Sequence, residues 1–258
     1  VMEHITGKKR IGRLLDKQQL LNVKQANSLA HITLELATHK PVQYVLGEAW
    51  FAGMKFYVNE HTLIPRPETE ELVEWIVGAV WSLEFGVWSL LDIGTGSGCI
   101  PVALKKKLPG LAVTSVDISK EALKVTKQNA KTIEAEITLL NIDFLDEAGW
   151  DQLPVVDFIV SNPPYIKQSE SGNMSKNVLD FEPGIALFVP DEDALLFYRK
   201  IAVFGKTHLS KQGSIFLEIN EGLGKEVSEL FESNGYNVEL KKDLRGCDRM
   251  VRATTTSD

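Results

Sequence analysis

The sequence predicts an α/β protein: a doubly wound, mostly parallel sheet behind a small helical N-terminal unit. Apolar strands alternate with helical stretches from about residue 87 onward, the pattern of a sheet covered on both faces. The first of those strands runs directly into a glycine-rich turn. The last two, near Val238 and Val251, have no helical stretch between Leu240 and Met250, so the terminal pair is expected to run antiparallel.

The elements follow in order. Residues 8–39 are rich in Leu, Ala, Gln and Lys and read as helical, with Leu14, Leu15, Leu21, Leu29, Ile32 and Leu36 placed to line an apolar stripe. Pro41 ends that region. Residues 44–46 through 56–58 have strand character interrupted by Gly47 and Gly53, and read as a hairpin or linker. Ile64-Pro65-Arg66-Pro67 is stiff and extended, because proline restricts the residue before it as well as itself. Glu68-Thr69-Glu70-Glu71 puts acid in the first turn of the helix that follows. Strands are expected at 88–93, 112–116, 137–140, 155–160 and 214–219, with helices from Gly98, from Ser119, over 194–209 and from Gly222. The organisation expected is a helical unit over 1–40, a hairpin or linker over 41–62 and the α/β domain over 63–258.

Composition narrows the function classes. At 44% hydrophobic and 24% charged residues, the chain is ordinary for a globular protein. No apolar run reaches the length of a membrane span, and the polar, basic N-terminus lacks the apolar core of a signal peptide. Cys99 and Cys247 lie far apart and read as buried thiols, and the histidines form no HxH or HExxH pattern, so no metal is expected. These features fit a reducing cytoplasm. The formal net charge of −7 is a poor basis for gripping phosphates, so stable nucleic-acid binding is not expected. The clusters Lys8-Lys9-Arg10 and Lys105-Lys106-Lys107 read as solvated helix faces.

The strand Leu90-Leu91-Asp92-Ile93 leads into Gly94-Thr95-Gly96-Ser97-Gly98. Glycine lets a ligand approach the backbone closely, and the first turn of an open α/β sheet is where nucleotides bind. The dinucleotide fingerprint is GxGxxG; here the spacing is GxGxG and position 99 is cysteine. Asp117 ends the next strand, where a carboxylate can accept both ribose hydroxyls of an adenosine. Together these features resemble the S-adenosylmethionine site of Rossmann-like methyltransferases. After the third strand, Asp143 is placed to accept from an adenine amino group and Phe144 to stack on the ring; a strand-end acid and a core aromatic is the plainer reading.

The fourth strand runs into Ser161-Asn162-Pro163-Pro164-Tyr165, next to the first strand and hence next to a bound cofactor's methyl. A planar amide or amine nitrogen is a poor nucleophile, because its lone pair is delocalised. It can attack if its hydrogens are held by acceptors. The Asn162 side-chain oxygen and the Pro163 carbonyl supply two, pointing the lone pair and stabilising the charge that develops. Pro163 and Pro164 stiffen the loop without adding N–H donors, and Tyr165 offers a flat face. The loop does not choose among adenine N6, guanine N2 and protein glutamine.

The rest of the chain does. Residues 41–48, 51–56 and 63–70, the last reading Leu-Ile-Pro-Arg-Pro-Glu-Thr-Glu, together with Phe181-Glu182-Pro183 and the closing Asp243-Leu244-Arg245-Gly246-Cys247-Asp248-Arg249, resemble HemK/PrmC-type release-factor glutamine methyltransferases. The resemblance covers about residues 41–252. It implies a class I methyltransferase fold and N5-methylation, from S-adenosylmethionine, of the glutamine in the Gly-Gly-Gln loop of class I peptide chain release factors. By it, Gly94, Thr95, Gly96, Ser97 and Gly98 form the cofactor turn and Asp117 is the ribose acid. Phe144 stands where some members carry tryptophan. Asn162 and Pro163 hold the amide, and Pro164 and Tyr165 complete the pocket. Arg66 and Glu68 lie over the active site, on substrate or holding structure, and Glu182 reads as an anchoring carboxylate. The helical region before Pro41 grips the release factor in the family; here it is shorter than the resemblance implies and reads as truncated. The alternative is a nucleic-acid methyltransferase, on adenine N6 or guanine N2, using the same loop.

Overall fold

A computed structural model describes residues 1–16, 18, 20–83 and 86–255. Four helices come first: α1 (Met2–Thr6), α2 (Arg10–Leu15), α3 (Val23–Ala37) and α4 (Val42–Leu46). Asn22 starts α3 with a capping box, its side chain accepting from Gln25 N while Gln25 returns the contact to Asn22 N. Two expectations fail here. The stripe expected over residues 14–36 is not a buried face: Leu14 is 55% and Leu15 84% exposed, and only Ile32 of the six is buried. Helical spacing says which residues share a side, not whether another layer covers it. Residues 44–46, expected as strand, are helix. Pro41 stands at its N-cap and Gly47 closes it at φ 65, cues that outweigh the β-branched content of so short a run.

A hairpin of β1 (Ala49–Phe51) and β2 (Met54–Phe56) follows, then α5 (Pro67–Trp81), which opens on proline with Glu68 and Glu70 in its first turn. The α/β alternation then runs β3 (Ser89–Ile93), α6 (Cys99–Lys107), β4 (Ala112–Asp117), α7 (Lys120–Ile133), β5 (Thr138–Asn141) and β6 (Val156–Ser161). An excursion over residues 162–195 carries β7 (Ile166–Lys167), α8 (Lys176–Leu179) and β8 (Phe188–Val189). The chain closes with α9 (Leu196–His208), β9 (Leu209–Glu218), α10 (Gly224–Ser233), β10 (Tyr236–Lys242) and β11 (Asp248–Thr255).

The main sheet has seven strands in the order β10-β11-β9-β6-β3-β4-β5. Its pairings are parallel from β9 through β5, whereas β9–β11 and β10–β11 are antiparallel. Successive residues serve opposite faces, as the strand period of two requires. Leu90, Phe158, Phe216 and Met250 pack with α5 and α6, and Leu91, Ile159, Leu217 and Val251 with α9 and α10. Chain order reverses at β3, with β4 on one side and β6 on the other. Ligands of open α/β sheets bind at the carboxyl ends of the strands at such a point.

Candidate active site

The carboxyl ends of β3, β4, β5 and β6 converge on one cleft. The glycine turn is pinned beneath it: Gly94 N and Thr95 N both donate to Val116 O at 2.9 and 3.1 Å. Thr126 Oγ1 donates to Gly96 O at 2.8 Å. Asn129 donates to Ser97 O and Tyr57 O, both at 2.9 Å, and accepts from Tyr57 N at 2.7 Å, tying the turn to the segment after the hairpin. Gly94, Gly96 and Gly98 have φ of 78, 56 and 79, the left-handed region that favours glycine. Their roles divide. Gly94 and Gly96 line the cleft, and a Cβ on either would meet nothing within 4 Å, so a ligand can lie against bare backbone. A Cβ on Gly98 would stand 2.6 Å from Thr126 Cγ2. Gly98 therefore serves the approach of the turn to α7, and it does not line the cleft.

Thr95, Ser97, Asp117, Asp143, Phe144 and Asn162 line the same cleft. Asp117 accepts Gly96 N at 2.9 Å on one oxygen and Ser119 N at 2.8 Å on the other, which sets the carboxylate plane and leaves a lone pair on each oxygen. Burial raises its pKa against the pull of those two N–H groups. The Thr95 hydroxyl is buried and turned toward the Asp92 carboxyl. An adenosine ligand fits this set, with open backbone and a carboxylate that keeps a free lone pair on each oxygen. Asp143 accepts Leu145 N at 3.0 Å. Phe144 is 5% exposed and stacks on Trp150 at 5.6 Å, with Phe204 edge-on at 5.2 Å. Its ring is thus held in the core while bordering the cleft.

Asn162, Pro163 and Pro164 line both this cleft and a smaller adjoining pocket, which holds Tyr165 and Glu218. Tyr165 is absent from the main cleft and belongs to the smaller pocket alone. The loop is a wall between two spaces, with Asn162 facing both. Ser161 Oγ fixes it by donating to Ile93 O at 2.7 Å, joining the end of β6 to the end of β3. Behind the loop, Asn162 Nδ2 donates to Thr69 Oγ1 at 3.2 Å, and Thr69 Oγ1 donates to Glu218 Oε2 at 2.6 Å. Burial pushes the Glu218 carboxyl up to about 7. The Tyr165 hydroxyl, 3.5 Å from Glu218 Oε1, is raised by burial and then by that neighbouring charge.

Arg66 borders both spaces and pairs with buried Glu182 at 2.6 Å. Glu68 pairs with Arg245 of the β10–β11 turn at 3.0 Å. Among the described residues no group of three or more His, Cys, Asp or Glu could hold a metal ion, and no helix is long and apolar enough to cross a membrane.

Comparison with known proteins decides the family. The PrmC N-terminal domain model matches residues 1–47 and the methyltransferase small domain model residues 85–181. A release factor glutamine methyltransferase of Flavobacterium psychrophilum is 44% identical over 254 residues, covering 98% of this chain and 88% of that protein. One from Bacteroides thetaiotaomicron is 42% identical, covering 93% and 84%.

The chain belongs to the release factor glutamine methyltransferase family.

A methyltransferase of Pyrococcus furiosus, 17% identical with a TM-score of 0.54 over 89% of this chain and 98% of that one, shares the fold. Seen as a member of the glutamine methyltransferase family, the chain carries site features that no local motif announces. Thr126 and Asn129 hold the glycine turn from α7, and Thr69 and Glu218 stand behind Asn162 from α5 and β9. Thr69 falls within the acidic run noted in the sequence, which flagged a helix start; its hydroxyl role had no signal there.

Proposed function

We propose that this chain transfers a methyl group from S-adenosylmethionine to the side-chain amide nitrogen, N5, of the glutamine in the Gly-Gly-Gln loop of class I peptide chain release factors. The observation that carries the reading is the Asn162-Pro163-Pro164 wall, shared by a nucleotide-type cleft and a small pocket. S-adenosylmethionine supplies an electrophilic methyl on a sulfonium. Gly94 and Gly96 offer it bare backbone, Asp117 is set to accept the ribose hydroxyls, and Asp143 stands at the adenine end. From the other side, a glutamine side chain entering the smaller pocket meets Asn162 Oδ1 and the Pro163 carbonyl. These accept the two amide hydrogens and turn the nitrogen lone pair toward the cleft. Pro163 and Pro164 hold that geometry, since neither residue supplies a competing N–H. Tyr165 lines the smaller pocket and gives the planar amide a face to lie on.

Incubation with S-adenosylmethionine and a release factor, followed by tandem mass spectrometry of the digested product, tests the assignment. The methyl is expected on the side-chain amide of the Gly-Gly-Gln glutamine. A methyl on any other residue, or on added RNA or DNA in preference to the protein, would contradict it.

A further inference from the structure

Asn162 can accept substrate hydrogens only with Oδ1 turned toward the pocket. The two ends of a side-chain amide are nearly alike in shape, so packing alone does not choose between them; hydrogen bonds do. Thr69 and Glu218 are each 2% exposed. Thr69 Oγ1 donates to Glu218 Oε2 at 2.6 Å, and Asn162 Nδ2 donates to Thr69 Oγ1 at 3.2 Å. A hydroxyl has one proton to give. With that proton committed to the carboxylate, Thr69 can only accept, so it takes the NH2 end of Asn162 and leaves the oxygen for substrate. A reversed amide would set acceptor against acceptor.

We infer that Thr69 and Glu218 are positioning residues, which fix the orientation of the Asn162 amide through a one-way hydrogen-bond chain from β9 through α5 to the methylation loop. This rests on the methyl-transfer reading of the site. The groups facing Glu218 are Thr69 and Glu68 of α5, Cys99 of α6, Asn162 and Tyr165 of the loop, Tyr198 of α9 and Arg249 of β11. Burial, opposed chiefly by Thr69 and Arg249, brings the carboxyl up to about 7. A protonated Glu218 no longer requires the Thr69 proton, so the chain loses its direction in acid and the methylation rate falls with it.

Thr69→Val keeps the shape and removes the hydroxyl; Thr69→Ser keeps the hydroxyl. Thr69→Val is expected to lower kcat by about 10- to 100-fold while KM for release factor and Kd for S-adenosylmethionine stay within about twofold. Thr69→Ser should recover most of the rate. Wild-type kcat should fall through a single-proton limb centred near 7, and Thr69→Val should lack that limb. In protein labelled with 15N-asparagine, the Asn162 side-chain NH2 signals should titrate near the same pH, and Thr69→Val should weaken the response to what Glu218 exerts on Asn162 directly; the wild-type titration needs no variant to fold. An unchanged kcat in Thr69→Val overturns the inference, as does an Asn162 signal indifferent to pH. If the wild type methylates no release factor while Asn162 titrates as described, the relay stands and the functional reading falls.

Discussion

Glu182 holds Arg66 and Ile64 at once: Oε1 accepts from the Arg66 guanidinium at 2.6 Å, and Oε2 accepts from Ile64 N at 3.0 Å. The excursion after the Asn162 loop is thereby fastened to the stiff segment before α5, and residues of both segments line the cleft. The Glu182 side chain is 1% exposed and that of Arg66 33%, so removing the carboxylate strands a buried N–H and a partly screened cation. Glu182→Ala should cost roughly 1–3 kcal/mol of stability, below the range for fully buried pairs. Urea unfolding measures it; an unchanged midpoint and slope would show that this anchor carries no weight.

Asp117 should govern cofactor affinity. Its two oxygens are already oriented by Gly96 N and Ser119 N, so a ribose diol meets a carboxylate that needs no reorganisation. Asp117→Ala should weaken S-adenosylmethionine binding by about tenfold or more. Equal affinity for variant and wild type by calorimetry would refute the role.

Asp92 makes the stability depend on pH in an unusual direction. It lies 1% exposed beneath the glycine turn, with the Thr95 and Ser115 hydroxyls turned toward its carboxyl. Burial raises its carboxyl from 3.8 to about 7. The folded state therefore holds this proton more tightly than the unfolded chain does. The contribution is fully present below 3.8 and is lost as pH rises toward about 7, at up to about 1.4 kcal/mol per pH unit within that window. Asp92→Asn, which cannot ionise, should make the plot of stability against pH shallower between those limits, leaving the slope that Glu218, raised from 4.5 to about 7, contributes; an identical slope in both proteins would contradict the assignment.

The Asn162 side chain should matter for rate and little for cofactor binding. Asn162→Ala leaves the glycine turn and Asp117 in place and removes one of two acceptors, so the methyl-transfer rate should fall by about 10²- to 10³-fold with Kd for S-adenosylmethionine nearly unchanged. Single-turnover kinetics beside calorimetry separates the two. Full activity would end the proposed role.

Much of this was legible because the chemistry is local. The run from Leu90 to Gly98 shows strand, turn and helix in consecutive residues, and Ser161 to Tyr165 carries its proposed acceptors and its prolines in one short loop. The antiparallel terminal pair followed from the absence of a crossover helix. What stayed hidden depends on distance in the chain. Thr69 meets Glu218 across 149 residues and Asn162 across 93, contacts made only once α5 docks and β6 pairs with β9. The exposed Leu14 and Leu15 show the converse limit, since helical spacing carries no information about what lies opposite. Gly98 reads in sequence like Gly94 and Gly96, yet its constraint is Thr126 on α7, which no turn motif contains.

The Asn162 loop is proposed to methylate a protein glutamine amide. The most direct measurement is transfer of labelled methyl from S-adenosylmethionine to a class I release factor and to its variant with alanine at the Gly-Gly-Gln glutamine, with RNA and DNA in parallel reactions. Label on the natural factor and none on the variant or the nucleic acids is the predicted result. Equal label on both factors, or label confined to nucleic acid, would contradict the claim.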